Sequence, residues 1–371
     1  MLNYSSGLKF FFRIYNTIRF LILHYYVSLK SHIHELTSSV IYYNQEALIK
    51  KVILVTGGSS GIGYEVSKAL YNIGMDVIIA SNQRIEGEYA IKKIINGNDD
   101  KFKKGRISYH YLNLLDPVSI VTFSNVLKLK YKKIDVLINN AGIMSPKSKN
   151  YSEDGYGKIC LLLSLHFIIN FLGPTLLTYL LLPLLQNNDG KYAENYDARI
   201  INLSSVLHYI GILDIDNLDG KHYSSGHAFY ARSKLALTAW TISLANILSP
   251  SRKGSPFDKF LPKILDKSHH GNRVVNVNCC HPGIIYTPGL YQHFASPVLM
   301  LVKLLNWLDL LRKPIQGAQT ILYLALAPEL GNSTGLYFDN CRPILPSSLS
   351  RSPAIQEAVM ELSQAYVAPY L

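Results

Sequence analysis

The sequence predicts an α/β fold. It reads as a single doubly wound parallel sheet of about seven strands with helices on both faces, preceded by an apolar N-terminal segment. Three observations predict it. Short apolar, β-branched runs recur along the chain and alternate with helical stretches, the pattern of strands buried on both faces by crossover helices. A glycine-rich turn follows the first run at once and opens a helix. The 371 residues fit one such layer structure with an extension at each end, since a single sheet of this kind takes about 250–280 residues. The expected organisation is an N-terminal membrane-anchor or interfacial segment (1–49), one dinucleotide-binding-type domain (50–345) and a C-terminal extension (346–371). The chain shows no internal repeat and no low-complexity linker.

Taken in order, residues 8–29 read LKFFFRIYNTIRFLILHYYVSL, about long enough to cross a bilayer. Arg13 and Arg19 interrupt the run, and an arginine at the bilayer centre costs ~2.5–3.5 kcal/mol. A span starting near Ile14 leaves Arg19 as the main penalty, reduced if it snorkels to the headgroups. A basic interfacial helix is the other arrangement. No small-residue cleavage site follows, which argues against a removed signal peptide; an arginine-rich soluble leader is the alternative without a membrane.

Residues 51–63 read KVILVTGGSSGIG. Val52 to Val55 is a buried-strand run, and Tyr64 to Leu70 is helical. The turn between them, with Gly57, Gly61 and Gly63, offers free helix N–H donors and a backbone that can approach phosphates closely. Its spacing, G-x-x-x-G-x-G, differs from the common G-x-G-x-x-G dinucleotide turn. A second strand, Met75 to Ala80, ends at Ser81, Asn82, Gln83 and Arg84. No carboxylate stands there to hold a ribose, and Arg84 lies slightly late for a 2′-phosphate, so NAD and NADP are both open.

Ile134 to Gly142 reads IDVLINNAG, a strand ending in Asn-Asn-Ala-Gly, and Arg199 to Ser205 reads RIINLSS, a strand ending in two serines. Tyr230-Ala231-Arg232-Ser233-Lys234 places a phenol and an ammonium one helical turn apart on one face. Neither group alone, at ~10 and ~10.4, is a useful acid or base near neutrality. A cation beside the phenol is expected to pull its pKa down. Cys280 to Thr287 reads CHPGIIYT, a strand followed by Pro-Gly.

These five segments, in this order, resemble the short-chain dehydrogenase/reductase family over roughly residues 50–340. The stretches VLINNAG, FIINFLGPTLLTYLLLP and RIINLSSVLHYIG are similar to its retinol-dehydrogenase-like branch. MDVIIASNQ and APELGNSTGLYF are similar to a subgroup associated with polyprenol and dolichol metabolism. The resemblance implies a Rossmann-type fold, a nicotinamide cofactor (NADP or NAD) and hydride transfer to or from a lipid, isoprenoid-type alcohol or its aldehyde or ketone. Retinoid or steroid substrates are the alternative within the family. It also implies roles. Tyr230 is the general acid/base, and Lys234 lowers its pKa and holds the nicotinamide ribose. Ser205, the second of the pair Ser204–Ser205, polarises the substrate oxygen. Asn170 bends a helix and anchors a proton-relay water. The phosphate loop is Gly57, Ser59, Gly61, Ile62 and Gly63. Asn82, Asn113 and Leu114 lie about the adenosine, with Asn139, Ala141 and Gly142 as its wall. Pro282, Gly283, Ile285 and Thr287 grip the nicotinamide.

Three departures stand out. Asn113 replaces the family aspartate that accepts from the adenine amine, although its side-chain oxygen can still accept. The stretch before Asn170 is longer than in relatives by roughly seven residues, around Lys158 to Leu165, and motivates a rival reading as a non-catalytic nucleotide-binding scaffold. A basic insertion at about 249–273 carries Arg252, Lys253, Lys259, Lys263, Lys267 and Arg273 against Asp258 and Asp266, a local balance of +4; a solvated loop is its simplest reading. Pro297 to Leu311, PVLMLVKLLNWLDLL, falls within the expected substrate lid (about 288–313) and is apolar enough for a greasy substrate.

The net charge of +12 comes without any nucleic-acid motif, so an anionic membrane surface is the expected partner. The resemblance implies the endoplasmic reticulum, with the catalytic domain on the cytosolic side, and allows a homodimer. The four cysteines (Cys160, Cys279, Cys280, Cys341) form no spaced framework and the twelve histidines no ligand set, which excludes a disulfide scaffold and predicts no metal.

Overall fold

In the computed structural model, the structure describes residues 50–97, 105–144, 165–187, 197–213, 226–249, 273–283, 285, 300, 303–304 and 311–371. The N-terminal segment, the lengthened stretch at 158–164, the basic insertion at 250–272, Thr287 and most of the lid lie outside the described residues.

Among the described residues, eight strands form one sheet: β1 (Val52–Thr56), β2 (Asp76–Ser81), β3 (Ile107–Tyr111), β4 (Val136–Asn139), β5 (Ala198–Leu203), β6 (Val275–His281), β7 (Tyr337–Asp339) and β8 (Arg342–Ile344). Their order is β3-β2-β1-β4-β5-β6-β7-β8. The pairings are parallel from β3 to β7. The eighth strand, beyond the seven expected, is a three-residue antiparallel partner of β7. It turns back through Asn340 and Cys341, both at positive φ. The strand order reverses between β1 and β4, which opens a crevice at the carboxyl ends of these strands, where open α/β sheets take their ligands.

Strand alternation sends side chains to two helical layers. Ile53, Val55, Val77, Ile79, Val136 and Ile138 pack with helices α1 (Gly61–Ile73), α2 (Arg84–Asn96) and, through Ile321 and Leu324, α6 (Pro314–Leu326). Leu54, Ile78, Leu137 and Ile200 face the other layer. It is formed by α3 (Pro117–Lys130), α4 (Gly173–Gln186), α5 (Gly226–Leu248) and α7 (Pro353–Val367). Helix α7 puts Val359, Met360 and Val367 into this second core. The residues after 345, expected as an extension, are therefore packed into the same body as the sheet.

Among the described residues one helical run, Leu165–Gln186, is long and apolar enough to cross a membrane, but 78% of its most apolar window is buried inside the protein. It is the central core helix, apolar all round because protein surrounds it.

Candidate active site

The site lies at the carboxyl ends of β1, β4 and β5. The turn after β1 holds Gly57 at φ +65° and Gly61 at φ +55°, a backbone that side chains resist. A Cβ on Gly63 would stand 2.2 Å from the Gly57 carbonyl oxygen and 2.5 Å from Asn140 Nδ2. Only glycine lets helix α1 start this close to the turn. Ser60, the residue before that helix, makes no side-chain cap, so the helix N-terminus keeps its positive end and N–H donors for an anion. The cradle fits the diphosphate of a dinucleotide. Ser59 lies half-buried in the turn, and Ile62 packs its side chain onto the core below.

Two residues that the sequence reading did not single out fix this turn. Asn140 donates from Nδ2 to the carbonyls of Thr56 (2.9 Å) and Gly57 (3.3 Å). Thr56 Oγ1 accepts from the backbone N–H groups of Asn140 and Ala141, each at 3.0 Å. The end of β4 is thereby bolted to the end of β1. The side chain of Asn139 instead points into the core, where it donates to Asn202 Oδ1 (2.8 Å) and Thr178 Oγ1 (3.2 Å). Any part Asn139 plays in the adenosine wall runs through its backbone. Its neighbour in Asn-Asn-Ala-Gly carries the side-chain work, a division that strand alternation predicts once the end of β4 is known.

At the end of β2, Asn82 is exposed. Arg84 is paired with Glu88 at 2.9 Å, and both are solvent-exposed. Asn113 Oδ1 accepts the Leu115 N–H at 3.1 Å, an Asx-type turn that uses part of its acceptor capacity. Leu114 is buried, and its carbonyl would lie 2.5 Å from a Cβ on Gly173. Glycine there lets the central helix pass over this loop.

Asn170 sits in a π-helical turn, Ile168–Leu172, where the Gly173 N–H returns to the Ile168 carbonyl. Such turns insert one residue into a helix and re-aim the side chains around it. The buried amide uses both of its N–H donors and accepts once on its oxygen. Its Oδ1 accepts from Ile143 N–H (2.8 Å), and its Nδ2 donates to Ile143 O (3.0 Å) and Ser233 Oγ (3.0 Å). Ser233 in turn donates to the Tyr230 carbonyl at 2.8 Å. Asn170 thus joins the loop after β4 to the Tyr230 helix. Gly142, at that junction, would place a Cβ 3.1 Å from Asn170 Oδ1 and 3.5 Å from Lys234 Nζ.

Tyr230 and Lys234 lie on α5. Lys234 Nζ donates to the Leu203 carbonyl at 2.6 Å and stands 5.6 Å from the centre of the Tyr230 ring. The two serines at the end of β5 diverge. Ser204 pairs with the Thr238 hydroxyl at 2.7 Å, turned into α5. Ser205 accepts the Leu207 N–H at 3.2 Å, and its hydroxyl lies near enough to the Tyr230 phenol to act on its proton affinity. Pro282 is buried, and Gly283, at φ +88°, is pressed against the Arg312 side chain. Ile285 is buried and bridges to Arg312.

The electrostatics depart from the sequence expectation. Burial pushes the Tyr230 phenol up to about 12, and the nearby Ser205 hydroxyl offsets only part of that. Burial lowers Lys234 to about 8. In the protein alone the lysine sheds its proton well before the phenol ionises, so no cation stands beside the tyrosine where it titrates. The expected depression of the phenol is therefore absent there, because desolvation outweighs the pair. Below about pH 8 the ammonium is present and acts on charge developing at the phenol during a reaction.

The family described as short chain dehydrogenase matches residues 51–252. The chain is 37% identical to the polyprenol dehydrogenase of Danio rerio over 317 residues, covering 85% of this chain and 86% of that one. It is 34% identical to the polyprenol dehydrogenase of Homo sapiens (78% and 77% covered) and 32% identical to retinol dehydrogenase 12 of Bos taurus (85% and 86% covered). Among solved structures, a Pseudomonas aeruginosa RhlG/NADP active-site complex superposes with a TM-score of 0.54 at 20% identity, covering 80% of this chain and 97% of that one. That last likeness speaks to the fold.

Proposed function

Because the chain belongs to the short-chain dehydrogenase family and is an NAD(P)-dependent oxidoreductase, we propose that it interconverts a lipid, isoprenoid-type alcohol and its carbonyl compound, with Tyr230 as general acid/base. The single observation that carries the mechanism is the convergence of Ser205, Tyr230 and Lys234 beside Gly142, at the rim of the glycine cradle. When bound, the dinucleotide supplies the hydride acceptor or donor. Gly57, Gly61 and Gly63 with the α1 N-terminus would hold its diphosphate, and Ala141 and Gly142 would border it. Asn82, Asn113 and Leu114 would meet its adenosine end, and Pro282, Gly283 and Ile285 its nicotinamide. In oxidation Tyr230, as a phenolate whose charge the Lys234 ammonium stabilises, takes the substrate hydroxyl proton and becomes the neutral phenol, while Ser205 donates to the substrate oxygen. In reduction Tyr230 returns the proton. Asn170 holds the two sides of the cleft in register.

The substrate class rests on the names of the relatives, polyprenol dehydrogenases at 34–37% identity and a retinol dehydrogenase at 32%, and on the apolar stretch at 297–311. A membrane surface is the matching partner, approached through the apolar N-terminal segment. The test is oxidation of NADH and of NADPH with a long polyprenal and with retinal. Turnover of the polyprenal in preference to retinal supports the isoprenoid reading, and the reverse replaces it with the retinoid one. Tyr230→Phe should lower kcat by ~10²–10⁴-fold; equal turnover by that variant would sink the mechanism.

A further inference from the structure

Beyond the catalytic groups, one buried side chain joins the serine turn to the C-terminal part of the chain. His208 lies in the 3-10 turn Val206–Tyr209 that follows Ser205 and is completely buried. Its Nδ1 contacts the Ser205 carbonyl at 2.7 Å, and its Nε2 accepts from the Ser347 backbone N–H at 3.1 Å. A backbone N–H can only donate, so Nε2 must carry the lone pair and Nδ1 the proton. The neutral ring therefore donates to Ser205 and accepts from Ser347, a bridge with one polarity. Tyr209 and Tyr337 clasp the ring, with centroids 4.1 and 4.5 Å away. Tyr209 makes a second tie to the same arm, donating from its hydroxyl to the Leu345 carbonyl.

The arm is itself rigid. Ser350 N–H donates to Ser347 Oγ at 3.2 Å, Ser350 Oγ donates to the Ser347 carbonyl at 2.8 Å, and Gln356 Nε2 donates to the Ser350 carbonyl at 3.0 Å. These three side chains are buried, and Gln356 belongs to α7, which is anchored in the core. The backbone on which Ser205 stands is thus held from a segment about 140 residues away in sequence.

We propose that His208 is a positioning residue for the reaction: it clamps the Ser205 turn to the arm at 345–350 so that the Ser205 hydroxyl stays set against Tyr230. The proposal rests on the reading of Ser205 as the group that meets the substrate oxygen. His208 touches neither substrate nor cofactor; it acts through Ser205.

The experiment compares His208→Phe, Ser205→Ala and the double variant in the full chain, with kcat, KM and dinucleotide affinity measured for each and folding checked by circular dichroism. His208→Phe keeps an aromatic ring but breaks both bonds. It should lower kcat on the order of tenfold to a hundredfold, the usual cost of a small misplacement, with KM and dinucleotide affinity within about twofold of the parent. In the Ser205→Ala background the same change should cost kcat nothing further, because the group being positioned is gone. A folded His208→Phe protein with parental kcat overturns the proposal, and so does an equal loss in both backgrounds. If His208→Phe does not fold, Tyr209→Phe carries the test: it removes one half-buried hydroxyl and its tie to the arm and should lower kcat about three- to tenfold, and parental kcat overturns the proposal. Full activity in Ser205→Ala is a separate result: it removes the reading of Ser205 and the inference with it, whereas an inactive Ser205→Ala beside a fully active His208→Phe removes the inference alone.

Discussion

Replacing Lys234 with methionine removes the ammonium and keeps the length of the side chain. The charge stands 5.6 Å from the centre of the Tyr230 ring. At that separation and an effective dielectric near ~20, a unit charge is worth roughly 3 kcal/mol, or about two pH units on the phenol. In the alcohol-oxidising direction, where the tyrosine takes up a proton, kcat at pH 7 should fall on the order of a hundredfold. The parent's pH–rate profile should show a break near pH 8, where Lys234 loses its proton, that the variant's profile lacks. The gap between parent and variant should narrow above about pH 8, where Lys234 itself loses its proton in the protein alone. The assay is a kcat profile under saturating dinucleotide, with the thermal midpoint followed alongside. That control matters because the change also leaves the Leu203 carbonyl without its 2.6 Å donor, a cost of about 1–3 kcal/mol. A variant profile that keeps the break and drops equally at every pH would refute the electrostatic reasoning and leave Lys234 a structural or cofactor-holding role.

Further outcomes follow from the same geometry. Gly63→Ala places a methyl 2.2 Å from the Gly57 carbonyl oxygen. The strain of about 1–3 kcal/mol should appear as weaker dinucleotide binding in a fluorescence titration, and unchanged affinity would mean that this turn does not hold the diphosphate. Acid should also act through His208, whose pKa burial lowers from 6.5 to about 4. Between those values the unfolded chain binds a proton that the folded protein refuses, so stability falls as pH drops from 6.5 through 4, by up to roughly 3 kcal/mol. Urea melts of the parent and His208→Phe across that range should converge toward low pH; parallel curves would show that the imidazole is not the titrating group.

Most of the sheet was legible because a buried parallel strand needs a short apolar run and little else. Val52–Val55, Ile134–Asn139 and Arg199–Leu203 announce themselves in this way. The eighth strand was not legible. Residues 342–344 are exposed and include Pro343, so they carry no apolar alternation, and the strand exists because β7 offers an edge. The C-terminal helix was missed for a related reason. Its apolar face reads like that of any surface helix until α4 and α5 are in place to receive Val359 and Met360.

Within the site, sequence alone determined the residue types and the order in which they arrive: a glycine turn after β1, Asn-Asn-Ala-Gly after β4, paired serines after β5, and a tyrosine and lysine one turn apart on α5. These are local facts, set by backbone freedom and helical spacing. The resemblance had selected Ser205, and the tertiary structure supplies the reason the two serines differ: alternation at the end of β5 turns Ser204 onto Thr238 and leaves Ser205 near Tyr230. The tertiary structure likewise gave Asn140 rather than Asn139 the task of bracing the glycine turn. It also set the proton affinities of Tyr230 and Lys234 against the expectation from their spacing. Spacing brings the two groups together, whereas burial, which no local pattern encodes, governs the cost of charging them.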